Sequence, residues 1–80
     1  MTADQIKDMI AAGMMCEHIE LKGDGQHWYA TIVSSEFEGQ RAIRRHQGVY
    51  ATLGGKMDSG EVHALSMQTY TPAEWAALAK

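Results

Sequence analysis

Cysteine, proline and phenylalanine each occur once in these 80 residues, and no apolar run approaches the roughly 20 residues that a bilayer span needs. A single thiol, Cys16, cannot close an internal disulfide, and it excludes a metal site built from several thiolates of this chain. Because no signal peptide is recognisable either, the expectation is a reducing, cytoplasmic compartment with no membrane insertion. Positive charge is also in short supply. Seven Lys and Arg against ten Asp and Glu leave a net charge of −3, so binding to nucleic acid would need a local basic patch. Eight glycines with one proline carry no linker or low-complexity signature, and the whole chain, 1–80, is expected to fold as one domain with a modest core. There is no nucleotide-binding glycine motif, nucleophile elbow or HExxH helix. No enzyme is expected.

What is present reads as six elements. Thr2-Ala-Asp-Gln5 has the pattern of a capping box, with Ile6, Met9 and Ile10 on one helical face behind it and Gly13 placed to end the helix in the left-handed conformation. "CEHIELKG" alternates, with Cys16, His18, Glu20 and Lys22 on one side and Glu17, Ile19 and Leu21 on the other. "HWYATIVS" follows as a second strand, and Gly23-Asp24-Gly25 between the two supplies hairpin chemistry. From Phe37 to Leu53 the period becomes helical, with Ile43, Tyr50 and Leu53 on one face and Arg41, Arg44 and Arg45 on a neighbouring one. "GGKMDSG" breaks that helix, and residues 62 to 69 read as a third strand. Thr71-Pro-Ala-Glu74 then opens a last helix with a threonine cap, proline at the first position and glutamate at the third. Tyr70 and Trp75 are spaced to pack across this cap as a hydrophobic staple.

The order is therefore α-β-β-α-β-α, an α+β fold of two layers. A long helix between the second and third strands predicts that these two lie parallel, joined by a right-handed crossover. His27 opens one of them and His63 the other, which would set both imidazoles at one sheet edge, about 5 to 10 Å apart in adjacent register.

The stretch "VHALSMQTYTPAEW" resembles the C-terminal signature of the BolA family, and "GDGQHW" with "FEGQRAIRRHQGVYATLG" resembles the hairpin and long helix of its IbaG-like (YrbA-like) branch. The similarity runs in order over nearly the whole chain. It implies a fold similar to the class II KH domain, a three-stranded mixed sheet covered on one face by helices. It also implies a partner, a monothiol glutaredoxin, with which BolA-like proteins share a [2Fe-2S] cluster completed by glutathione, in iron–sulfur trafficking and iron homeostasis. No cluster is expected on the isolated protein, which would be a monomer or weak homodimer. In that family the histidine of "VHAL" ligates the cluster, and here it falls on His63. Some members add a Cys or His from the hairpin loop. Here the loop offers His27 and, less naturally, Asp24, with Cys16 a more remote choice.

Each candidate has a plainer reading beside it. By alternation His63 shares a face with Leu65 and Met67, as a packing histidine would, and His27 at a hairpin end could simply be solvated. Cys16 fits a small packing position, His18 and His46 fit the surface or its boundary, and Met9 and Met67 suit the core. Arg41, Arg44 and Arg45, with His46 nearby, form a basic helical face that could meet glutathione carboxylates, an acidic partner or DNA, since some family members resemble transcriptional regulators. "LGGKMDSG" lacks the Gly-x-x-Gly loop with which KH domains clamp RNA.

Overall fold

The computed structural model describes residues 2–24, 26–56 and 64–79. Its first element, α1 (Ala3–Gly13), begins at the predicted capping box. The Gln5 amide donates to the Thr2 hydroxyl (3.2 Å) and the Thr2 amide to the Gln5 side chain (2.9 Å). Two of the four amide donors exposed at a helix start are satisfied in such a box. The other end differs from expectation. Gly13 is the last helical residue and has no positive φ; Met14 closes the helix in an extended conformation. Gly13 instead lies where α1 passes a second helix, α2 (Ala42–Thr52), and a Cβ there would sit 2.7 Å from Thr52 Cγ2 and 2.8 Å from Thr52 Cβ. The Thr52 hydroxyl is held by the Val49 carbonyl at 2.6 Å, so its side chain is not free to turn aside. Gly13→Ala should therefore lower the urea midpoint, with overpacking of about 1–3 kcal/mol exceeding the gain of about 1 kcal/mol in helix propensity. A raised midpoint would mean that the helices part easily.

β1 (His18–Gly23) and β2 (Trp28–Val33) pair antiparallel, from His18 opposite Val33 to Gly23 opposite Trp28. β2 in turn pairs parallel with β3 (Leu65–Tyr70), from Trp28 opposite Leu65 to Val33 opposite Tyr70. The order β1-β2-β3 is the predicted mixed sheet. Trp28, Ala30 and Ile32 alternate into the core, where they meet Ile6 and Ile10 of α1, Val49 and Leu53 of α2, Phe37 and Leu65. β3 ends one residue later than expected, and its expected start at residue 62 lies outside the described residues. Its end is fixed by Tyr70, whose carbonyl accepts from Ser34 at 3.0 Å immediately before the next cap.

The helix expected from Phe37 is shorter. The Ser34 hydroxyl accepts from the Glu36 amide at 3.1 Å and starts a separate 3-10 turn, Ser35–Phe37. Gly39 then takes φ 76°, a left-handed conformation open to glycine without steric cost, and α2 begins only at Ala42. Within α2, Ile43 is not a core residue and is 66% exposed. At about 100° per residue it stands roughly 120° round the helix from Val49, the residue that faces the core.

α3 (Pro72–Leu78) opens as read, with Thr71 and Glu74 completing both halves of a capping box. Trp75 meets Tyr70 at 5.5 Å between ring centroids and stacks on His18 at 5.1 Å. His18 and Tyr70 alternate with the inward residues Ile19 and Thr69, so α3 caps one end of the sheet face opposite α1 and α2. Helices therefore touch both faces.

Candidate functional site

At the hairpin end of the sheet the geometry is set by Asp24. Its Oδ1 accepts from the backbone amides of Gln26 and His27, both at 2.9 Å, and its own amide donates to the His27 carbonyl at 3.3 Å. This is an Asx turn, a local use for which aspartate is well suited. The His27 amide first, then that of Gln26, holds the carboxyl below the usual carboxylate range. Asp24 thus orients the His27 backbone, and one of its two oxygens is already engaged. The hairpin's Gly25 lies outside the described residues. Gly23 is required by crowding: a Cβ there would fall 2.4 Å from the His27 carbonyl oxygen and 2.4 Å from Trp28 Cε3.

His27 itself is exposed, one residue before β2. The next amide, that of Trp28, donates to the carbonyl of Ala64 at 2.8 Å. Ala64 is half-buried and is bonded in sequence to His63, which lies outside the described residues. The start of β2 and the approach to β3 are thus adjacent, as the parallel topology requires.

Cys16 is not at this end. It precedes β1, beside Glu17, whose amide bonds Val33 at the far end of β2 (2.8 Å), so a six-residue strand of about 20 Å separates it from the hairpin. It is half-buried against the core, and burial first, then the Glu36 carboxylate, raises the thiol pKa. Packing is its role. His18 is at that far end too, with Nε2 3.3 Å from Glu20 Oε1; the approach is a close contact without hydrogen-bond alignment. Among the described residues no three His, Cys, Asp or Glu side chains are grouped to hold a metal ion.

The arginine face divides. Arg45 is turned inward, its side chain only 12% exposed: Nε donates to Gln40 O (2.9 Å), Nη1 to Thr69 O (3.2 Å) and to Glu74 Oε1 (2.7 Å), and the guanidinium lies 5.8 Å from the Phe37 ring centroid. Arg45 is thus a structural tie between α2, β3 and α3 rather than a docking residue. Its planar fork can make these bonds together, which a lysine could not. Arg41 and Arg44 remain exposed, beside an open groove of about 440 Å³ that they line with Gly39, Gln40 and Ile43. His46 is half-buried on α2.

Nothing in the sequence announces the Arg45–Glu74 pair, because its members are 29 residues apart. The Arg45 side chain first, then the Thr71 amide, lowers the Glu74 pKa from 4.5 to about 2. A carboxyl whose folded value is depressed contributes stability above its unfolded value, and loses it as pH falls through the folded one. The contribution is accordingly complete above about pH 4.5 and fades toward pH 2. Melting temperature should fall less steeply across this window in Glu74→Gln than in the unaltered chain. Parallel profiles would count against the tie.

No helix among the described residues is long and apolar enough to cross a membrane. A family model described as BolA-like protein matches residues 6–74. The sequence is 30% identical over 76 residues to the acid stress protein IbaG of Escherichia coli (strain K12), spanning 95% of this chain and 90% of that protein. It is 41% identical over 56 residues to the DNA-binding transcriptional regulator BolA of the same strain, spanning 70% of this chain and 52% of the regulator. The structure of a bolA protein homologue from Coxiella burnetii superposes with a TM-score of 0.84 at 43% identity, covering 95% of this chain and 97% of that one.

Proposed function

Because this chain belongs to the BolA-like protein family, we infer that it is an adaptor in iron–sulfur cluster trafficking, docking a monothiol glutaredoxin in the cytoplasm and contributing His63, with His27 as companion, to a shared [2Fe-2S] cluster. The observation that carries this reading is the parallel pairing of β2 with β3, in which the Trp28 amide bonds the carbonyl of Ala64, next in sequence to His63. His27 is exposed at the same sheet end, its backbone fixed by the Asp24 turn.

The donor set fits cargo held between two proteins. Such a cluster takes four ligands, thiolates or imidazoles. This chain has a single thiol, which lies at the other end of the sheet, so thiolates would come from glutaredoxin and glutathione. Imidazole is a neutral ligand that protonation withdraws, which suits release to a recipient. The test is co-reconstitution of the complex with iron, sulfide and glutathione, read by visible absorption and circular dichroism. His63→Ala should abolish or strongly alter the cluster bands, and His27→Ala should alter them less. Spectra unchanged by His63→Ala would reject the ligand assignment.

A second reading rests on the exposed Arg41 and Arg44, the part of the basic face that remains available for DNA. If it holds, duplex binding falls steeply with salt, and Arg41→Ala with Arg44→Ala reduces the slope by about 2. An unaltered slope would remove these residues from any DNA contact.

A further inference from the structure

In a parallel ladder, alternate residues of a strand turn their backbone groups toward one neighbour. Trp28 donates to Ala64 O and Ser34 to Tyr70 O, at either end of the register that sets Trp28 opposite Leu65 and Val33 opposite Tyr70. The even-numbered residues of β3 therefore face β2, and the N–H and C=O groups of Leu65, Met67 and Thr69 face outward. Among the described residues nothing accepts from these three amides. The carbonyls are treated differently. α2 reaches over two of them: the Tyr50 hydroxyl donates to Leu65 O at 3.5 Å and Arg45 Nη1 to Thr69 O at 3.2 Å.

Edge strands usually discourage pairing with charges, proline or bulges. β1, the other edge, carries Glu20 and Lys22, whereas β3 reads Leu-Ser-Met-Gln-Thr-Tyr and has none of these devices. We propose that the outer edge of β3 is a docking edge for a second copy of this chain, held shut in the single molecule by Arg45 and Tyr50. The pattern of outward groups is self-complementary. With a twofold axis through Met67, Leu65 faces Thr69 of the second copy and Met67 faces its equivalent, so three donors and three acceptors on each side are matched in an antiparallel ladder. No charge on β3 repels its own copy, and the product is one continuous six-stranded sheet.

Sedimentation equilibrium tests this with Arg45→Met and Tyr50→Phe combined, which removes both polar guards while keeping side chains of similar length. The folded double variant should self-associate about tenfold or more tightly than the unaltered chain, a shift of about 1.4 kcal/mol. Adding Met67→Pro should return it to the starting value, because that amide faces away from β2 and proline is tolerated at such edge positions. A folded double variant that associates no better, or one indifferent to Met67→Pro, overturns the proposal. If the double variant does not fold, the edge is tested in the Tyr50→Phe background, which frees the Leu65 carbonyl and so one acceptor at each end of the proposed pairing. Chains carrying Ser66→Cys and Gln68→Cys, each with Cys16→Ser, are mixed and oxidised with oxidised glutathione. These positions face each other across the proposed axis as a non-hydrogen-bonded pair, with Cα atoms about 4.5 Å apart, within disulfide reach. Predominance of the mixed disulfide supports the edge, and purely statistical products overturn it.

Discussion

Gly23→Ala is expected to lower the melting temperature by about 15 °C, roughly 3 kcal/mol for a domain of this size. The reason is specific to the hairpin. Its added methyl would meet the His27 carbonyl and the Trp28 ring, both at 2.4 Å, and neither can yield cheaply. His27 O is tied into the Asp24 turn, and Trp28, 4% exposed, is part of the core. Relief would require opening the end of β1 away from β2, where the proposed ligand His27 emerges. The experiment is a thermal melt followed by circular dichroism, paired with cluster reconstitution on whatever folded fraction remains. A melting temperature within about 2 °C of the original would show that the turn can relax, and would remove this crowding as the reason for glycine.

Phe37→Ala is the second large effect, at about 3–5 kcal/mol by the usual cost of deleting a buried aromatic. Phe37 is 1% exposed and is the only phenylalanine of the chain. It anchors the segment between the 3-10 turn and α2 in the core, and the Arg45 guanidinium lies over its ring. Since a small domain has only about 5–15 kcal/mol in all, the variant should be partly unfolded near physiological temperature. Urea titration followed by tryptophan fluorescence measures this, with Phe37→Leu as the milder comparison. A loss below about 1 kcal/mol would mean that the neighbours collapse into the space.

The features legible in the sequence were those written over short distances. Both capping boxes span four residues, and their chemistry is complete in the residues themselves. The parallel pairing of β2 and β3 was accessible for a different reason, since a helix between two strands leaves few ways to return to the sheet. The start of α2 is not legible in the sequence, because what separates it from the 3-10 turn is the conformation of Gly39, one glycine among eight whose φ composition does not disclose. Ile43 is a separate case: seven residues before Tyr50, it shares the half-buried flank of α2 rather than the core face of Val49.

The candidate site divides along the same line. His27 and its turn were visible in "GDGQHW", although the role of Asp24 in holding the turn shows only in the folded hairpin. Spacing alone places Arg45 with Arg41 and Arg44. Its burial depends on Gln40, Thr69 and Glu74, the last two 24 and 29 residues away, and no local pattern could encode that. Cys16 could be removed from the site only once the direction of β1 was fixed. His63 lies outside the described residues, so its part in the site rests on the family and on its bond to Ala64.

Tyr70 ends β3 and Thr71 caps α3 with no residue between them. The strand therefore passes directly into the cap of α3, and a displacement of Tyr70 would carry that cap with it. The indole of Trp75 meets both His18 and Tyr70, so a shift at the hairpin rim that reaches Tyr70 should change its emission, read apart from Trp28 in a Trp28→Phe chain.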